Sequence, residues 1–302
     1  MRVVITGGTG VIGSAVAREL GEAGHEVVIL TRNTAKAGPL PANTRAVEWD
    51  GRTATGWASL LDGDTGIVHL AGEGIAEGRW TDEKKRRIRD SRVESGRAVL
   101  AAIQEAKEKP RVLLQGSAVG YYGPCGDEIV DESHPPGNDF LGRICVEWEA
   151  STAEAESLGV RRPILRTGIV LTPKGGALPK MAMPFRLGAG GSLGSGRQWF
   201  PWIHIADEVG AIRFLLERED ARGPFNLTAP NPLTNRDFSR ALGRALHRPS
   251  FAFAPAFALK LALGEMADSI LNGQRAVPRR LLELGYGFRY PEALGALQNL
   301  LG

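Results

Sequence analysis

At 302 residues, with 43% hydrophobic and 24% charged side chains, the chain carries enough apolar surface for a substantial core, which excludes an extended, disordered protein. A net charge of +3 is small for that length and gives no reason to invoke nucleic acid. No apolar run approaches the roughly 20 residues of a membrane span, and the first residues already read as a strand rather than a leader, so a cytoplasmic location without a membrane partner is the expectation. Cys125 and Cys145 have no metal-ligand spacing and give no disulfide framework, so both are expected as free thiols and no metal site is expected.

The first element is a strand through Val3 to Ile5, β-branched and apolar as a parallel strand covered on both faces requires. It runs into Gly7-x-x-Gly10-x-x-Gly13. Gly7 permits the tight turn, Gly10 lets the backbone approach a pyrophosphate, and Gly13 allows close packing of helix on strand. The following helix shows apolar residues at Val11, Ile12, Ala15, Val16 and Leu20, with Gly24 as its stop, so its N-terminal amides and dipole point at the anion. A second strand, Glu26 to Leu30, ends in Thr31-Arg32. An acidic residue there would accept hydrogen bonds from a ribose 2′-hydroxyl, whereas Arg32 pairs with a 2′-phosphate, which favours NADP(H) over NAD(H).

A third strand is read over Thr44 to Trp49 and a fourth over Gly66 to Gly72, the latter ending in small residues that leave room for a ligand. A long helix spans Thr81 to Lys107, with Thr81 as its cap and Asp82 and Glu83 suiting its first turn. Its basic run, Lys84 to Arg89, reads as a solvated face. A fifth strand, Arg111 to Ser117, a helix from Leu141 to Ser157 and a strand from Arg162 to Leu171 complete the alternation. The expected fold class is therefore α/β, a Rossmann-type doubly wound parallel sheet with ligands beyond the carboxyl ends of its strands. Past Thr172 come glycine-rich loops, then helical segments at Asn235 to Leu246 and Ala256 to Leu271. The organisation that follows is residues 1–172 as the cofactor domain with 200–228 returning to it, and 173–199 with 229–302 as substrate-side loops and a smaller, mainly helical C-terminal lobe.

Gly7-Gly-Thr-Gly-Val-Ile-Gly13, Leu70-Ala71-Gly72, Ser117-Ala-Val-Gly-Tyr-Tyr-Gly123 and Trp202-Ile-His-Ile-Ala-Asp207 together resemble the extended short-chain dehydrogenase/reductase superfamily. Gly78-Arg-Trp-Thr81, Ser91-Arg92, Trp148-Glu149, Arg166-Thr-Gly-Ile-Val-Leu171, Phe225-Asn-Leu-Thr-Ala-Pro230 and Gly273-Gln274-Arg275 narrow the resemblance to its atypical, sugar-nucleotide epimerase-like members, which carry a characteristic C-terminal domain. The resemblance implies cofactor contacts at Gly7, Thr9, Gly10, Val11, Ile12 and Gly13, at Thr31 and Arg32, at Leu70, Ala71, Gly72 and Glu73, and at Arg92, Gly116, Ser117 and Arg166. It places Tyr121, Gln198, Trp202 and His204 beside an unidentified small-molecule substrate and admits a homodimer.

Catalysis breaks the pattern. Superfamily members use a Tyr-x-x-x-Lys pair whose lysine lowers the tyrosine pKa from about 10 so that the phenol exchanges a proton with the substrate. No such pair exists in this chain: Phe140 or Leu141 stands where the tyrosine belongs, Cys145 near the lysine position, and Ala118 at the usual hydroxyl position. The substitutes on offer are Ser117, Tyr121, Tyr122 and Cys145, with His204 as a residue that titrates in the useful range. Two functions remain open, an NADP(H)-dependent oxidoreductase of reductase or epimerase-like type and a non-catalytic NADP(H)-binding regulatory protein.

Overall fold

The computed structural model describes residues 1–76 and 78–302. Five strands, β1 (Arg2–Thr6), β2 (Glu26–Thr31), β3 (Thr44–Glu48), β4 (Thr65–His69) and β5 (Val112–Ala118), join the later strands Pro163–Thr167 and Gly223–Leu227 in one seven-stranded sheet. Every pairing in it is parallel, and the order from the C-terminal edge is Gly223–Leu227, Pro163–Thr167, β5, β4, β1, β2, β3. The chain runs outward from β1 through β2 to β3, then returns to place β4 on the other side of β1. That reversal opens a crevice at the carboxyl ends of β1 and β4.

Alternate residues of the central strands enter two cores, as the period of two demands. Val3, Ile5, Val27, Val68 and Leu114 pack toward α1 (Val11–Glu22) and the helix Ile205–Glu217, while Val4, Val28, Ile67 and Leu113 pack toward α2 (Asp82–Glu105). A third core, built on Phe200, Trp202, Phe238 and Leu297, holds the C-terminal helices Asn235–Ala245 and Ala293–Leu301. Among the described residues no helix is long and apolar enough to cross a membrane.

The α1 and α2 boundaries follow the sequence signals. Gly24 turns the chain at φ +87°, and the Thr81 hydroxyl accepts the Lys84 amide at 3.2 Å. Three boundaries differ from expectation. The strand read over Arg162 to Leu171 breaks at Gly168, where a Cβ would lie 2.6 Å from the Pro201 carbonyl; Ile169–Leu171 leaves the sheet and pairs with Trp202–His204 instead. The helix α3 (Phe140–Ala150) stops short of Ser157, because the Ser151 hydroxyl turns back to the Trp148 carbonyl at 2.7 Å and Thr152 donates to Gln115 at 2.7 Å. The helix read over Ala256 to Leu271 becomes two, Ala256–Leu263 and Met266–Leu271, parted by Gly264 at φ +62°.

The basic run of α2 is a solvated face only in part: Arg86, Arg87 and Arg89 are exposed, but the run also ties elements together. Lys84 is buried against Glu73 at 2.6 Å, Lys85 reaches Glu265 of the C-terminal lobe at 2.9 Å, and Arg89 reaches Glu147 of α3 at 2.6 Å. The reason is position: α2 lies between the loop after β4, α3 and the lobe, so its charges tie elements together.

Candidate functional site: a dinucleotide cleft at the carboxyl rim

The glycine loop is shaped by close approach. Gly7 sits at φ +71°, and a Cβ there would lie 2.9 Å from the Leu70 carbonyl carbon. A Cβ on Gly13 would overlap the Gly7 carbonyl oxygen and come within 2.8 Å of the Gly8 Cα, so only glycine lets α1 seat on the loop. Gly10 begins α1 with no side chain capping it and no acidic residue in the first turn. Orphan amides and the positive helix end therefore meet an open space suited to an anion.

That space is a cleft of about 870 Å³. Nine of the residues expected at the cofactor line it: Gly7, Thr9, Gly10, Thr31, Arg32, Leu70, Ala71, Gly72 and Glu73. Arg32 is exposed at the end of β2, and among the described residues no ion pair engages it, whereas Arg52 across the cleft is held by Glu94 at 2.9 Å. Sequence reasoning missed the loop from Trp49 to Arg52, and Asp90, Ser91 and Glu94 of α2, which also line the cleft together with Arg87 of the basic run. Trp49 follows β3 directly and so shares the same rim, a signal the sequence offered.

The far wall is clamped by α2. The Glu73 amide donates to the Ser91 hydroxyl at 2.9 Å, and its carboxylate takes Lys84 at 2.6 Å and Arg87 at 3.2 Å; the Lys84 bond, with Arg87 beside it, holds that carboxyl below its usual range. Arg92 lies beneath, its guanidinium 3.0 Å from where a Gly72 Cβ would be and 5.1 Å from the Trp148 ring. It donates to the Glu73 carbonyl at 3.0 Å and the Ile88 carbonyl at 2.9 Å. Arg92 thus supports the wall from behind, and Val11, Ile12, Gly116, Ser117 and Arg166 likewise lie outside the cleft lining.

Between β4 and β5 the rim is braced by an unanticipated relay. The Trp148 indole N–H donates to His69 Nε2 at 3.2 Å, so His69 Nδ1–H donates to Thr6 Oγ1 at 2.7 Å, and the same hydroxyl oxygen accepts the Leu70 and Ala71 amides at 3.1 and 3.2 Å. Burial, aided by Arg92, pushes His69 down to about 3, so the imidazole stays neutral. Gly116 completes this brace: a Cβ there would sit 2.6 Å from the His69 carbonyl and 2.9 Å from the Trp148 ring.

The candidate acids are bound into a second network. Ser117 donates to Glu149 at 2.6 Å, and Arg166 grips both Glu149 oxygens at 3.0 and 3.1 Å. Arg166 also donates to the Tyr122 hydroxyl at 3.1 Å, which donates in turn to Asn226 at 2.6 Å. Burial raises Tyr122 to about 12, and burial with Glu149 nearby raises the Cys145 thiol to about 11, so both keep their protons at neutral pH. Tyr121 differs. Its ring stacks on the Arg166 guanidinium at 3.4 Å while remaining half-buried.

Two residues expected beside the substrate lie in packing positions instead. Trp202 is 1% exposed within the Phe200 and Phe238 core. His204 caps the helix Ile205–Glu217, its Nδ1 accepting the Ala206 amide at 3.0 Å and its Nε2–H meeting Asn299 at 3.2 Å, with Tyr290 stacked at 3.9 Å. Both follow from the short Trp202–His204 strand turning inward to pair with Ile169–Leu171. Gln198 spends its amide on the Leu193 and Ile270 carbonyls at 2.9 and 3.3 Å, joining the glycine-rich loop to the C-terminal lobe.

Glu208, behind the same rim, is fully buried: Thr167 donates to its Oε1 at 2.9 Å, while Oε2 has no partner among the described residues. Burial pushes its carboxyl up to about 8 against the Thr167 bond, so the folded state keeps a proton that the unfolded chain releases near 4.5. This group's contribution to stability is therefore lost as pH rises from about 4.5 to about 8. Glu208→Gln is expected to stabilise the fold by up to about 5 kcal/mol at alkaline pH, the gain shrinking toward nothing at acid pH, in urea unfolding across a pH series. A gain that does not change with pH would contradict this.

Sheet order, glycine loop and rim cleft together define a dinucleotide-binding α/β protein. The chain belongs to the NAD dependent epimerase/dehydratase family, which matches residues 3–228, and residues 254–300 match a domain of unknown function, DUF1731. It is 40% identical over 297 residues to an epimerase family protein of Mycobacterium bovis, covering 97% of this chain and 96% of that one. It is 39% identical over 302 residues to an epimerase family protein of Bacillus subtilis, covering 100% and 98% of the two chains. Among solved structures, human epimerase family protein SDR39U1 (isoform 2), crystallised with NADPH, superposes at a TM-score of 0.89 with 35% identity over 100% of this chain and 99% of that chain.

Proposed function

We propose that this protein is an NADP(H)-dependent oxidoreductase that reduces a carbonyl compound. The observation that carries the reading is Arg32, exposed at the end of β2 on the cleft wall, where an acidic residue would select the unphosphorylated ribose. The human neighbour's crystallisation with NADPH supports it. The α1 amides would hold the pyrophosphate, Arg32 the 2′-phosphate, and Leu70 to Glu73, clamped by α2, the adenosine side. The cofactor, when bound, supplies hydride.

The protein's remaining task is orientation. Trp148, His69 and Thr6 fix the backbone at Leu70 and Ala71, and the Glu149–Arg166 pair fixes the end of β5 through Ser117. With Tyr122 and Cys145 held as neutral acids, Tyr121, whose hydroxyl has no hydrogen bond among the described residues, is the candidate to meet a substrate. Epimerisation needs a tightly held oxidised cofactor and a proton relay, and the missing Tyr-x-x-x-Lys pair disfavours it.

NADPH oxidation over a panel of ketones and aldehydes tests this reading, with Tyr121→Phe expected to slow turnover. Micromolar NADPH binding without turnover on any carbonyl would instead support the second reading, a non-catalytic NADP(H)-binding regulatory protein, which the buried state of Tyr122 and Cys145 favours.

A further inference from the structure

The most exposed large apolar side chains among the described residues, at 62% to 75%, are Met183, Leu187, Phe251, Phe253, Phe257 and Leu261. Scattered singly, such residues need no explanation, but these are gathered. Met183 and Leu187 lie four apart on the helix Ala177–Arg186 and its cap, Phe251 and Phe253 flank Ala252 on one face of a strand, and Phe257 and Leu261 lie four apart on the helix Ala256–Leu263. The segments touch: the Ala252 amide donates to the Gly190 carbonyl at 3.0 Å, and the strand Ala252–Ala254 pairs with Gly191–Leu193.

The helix Ala256–Leu263 is apolar all round except for Lys260, yet none of its residues is buried. A helix of that composition is ordinarily covered. It is held by its backbone: Arg79 donates to the Leu261 carbonyl and, at 3.2 Å, to the Ala262 carbonyl, and just beyond it Lys85 pairs with Glu265 at 2.9 Å. The body of the fold thus fixes the helix and leaves Phe257 and Leu261 facing out.

Charge says what covers this face. The net charge of +3 is unevenly spread, because residues 173–200 and 238–264, which contain the whole apolar set, carry eight Lys and Arg and no Asp or Glu, while the rest of the chain is net acidic. Lys180 and Arg186 share the helix of Met183, and Arg244 and Arg248 lie at the end of the helix Asn235–Ala245, where Gly243 meets both Phe185 and Ser250. These four cations are exposed, and among the described residues none has an ion pair. A second copy would bring two faces of one sign together, which repels. Anionic headgroups over an acyl boundary match both the cations and the aromatic rings.

We propose that this face of the C-terminal lobe docks on an anionic lipid surface, with Phe251, Phe253, Phe257 and Leu261 entering the headgroup boundary and Lys180, Arg186, Arg244 and Arg248 against the lipid phosphates. Lying on a bilayer needs no spanning helix, so the lack of one, on which the expectation of no membrane partner rests, does not bear on this face. The proposal is independent of the oxidoreductase reading.

The test is sedimentation of the full chain with vesicles of phosphatidylcholine alone and of phosphatidylcholine mixed equally with phosphatidylglycerol. Binding to the mixed vesicles is expected, weakened by salt, with little binding to phosphatidylcholine alone. The triple variant Phe251→Ser, Phe253→Ser, Phe257→Ser is expected to weaken binding at least about tenfold, and Arg244→Glu with Arg248→Glu to do the same. All five positions are exposed, and an unchanged urea midpoint shows that each variant folds. No binding to the mixed vesicles at low salt overturns the proposal, as does equal binding by the phenylalanine variant, which would reduce the contact to bare charge attraction. Self-association that the phenylalanine variant abolishes, without vesicle binding, overturns it in favour of a second copy, and a monomer that ignores both vesicle types overturns it in favour of a protein partner.

Discussion

Glu149→Ala is expected to lower folding stability by about 3–5 kcal/mol, because it strands the buried Arg166 cation. Arg166 is 4% exposed and takes both Glu149 oxygens, and Ser117 donates to the same carboxylate, so one truncation leaves three donors unmet in a site that water barely reaches. Arg166→Met combined with Glu149→Leu should cost far less than either truncation alone, since the cost lies in the uncompensated charge rather than in a net worth of the pair. Urea unfolding of the single and double variants reads this directly. A loss below about 1 kcal/mol in Glu149→Ala would mean the guanidinium finds water or another acceptor, and the network would not be what fixes the end of β5.

Gly13→Val is expected to weaken NADPH binding at least about a hundredfold, near 2.7 kcal/mol, while leaving a folded protein. The added side chain would collide with the Gly7 carbonyl and the Gly8 Cα, both backbone, so the glycine loop must lift off α1 and the amides lose their aim. Gly10→Ala makes the internal control. A Cβ there meets only the Gly7 carbonyl, at 3.2 Å, so the fold tolerates it and any lost affinity reports crowding of the cofactor itself. Equal, small effects of the two substitutions would detach cofactor binding from this loop.

The residues that sequence alone revealed are those whose meaning is local. Gly7 and Gly13 are demanded by backbone approach within one strand-turn-helix unit, Arg32 by its place at the end of the next strand, and Thr81 by a cap three residues from its amide. What stayed hidden depends on partners distant in the chain. Lys84 reads as a solvated cation until the loop after β4 brings Glu73 to it, and Gly168 reads as mid-strand until the Pro201 carbonyl occupies the space of its absent Cβ. His204 has the chemistry of a titrating site residue, and only the inward turn of its strand, with Asn299 and Tyr290 waiting there, makes it a helix cap. The Trp49 to Arg52 loop was within reach of the rim rule and was missed because no motif marks it.

The missing Tyr-x-x-x-Lys pair gains a physical counterpart in the fold. Cys145, near the lysine position, is raised to about 11 by burial with Glu149 beside it, against the opposing charge of Arg92, and Tyr122 is raised to about 12 by its own burial. The cofactor half of the rim keeps its machinery while the proton half is rebuilt as a braced wall.

Fluorescence titration of NADPH and NADH against the wild-type chain and Arg32→Ala tests the proposed selectivity of the cleft for a 2′-phosphate most directly. NADPH is expected to bind at least about tenfold more tightly than NADH, as one charge-assisted phosphate contact at an exposed site provides, and Arg32→Ala should erase that preference while leaving NADH affinity unchanged. Equal affinities for the two cofactors in the wild-type protein would contradict it.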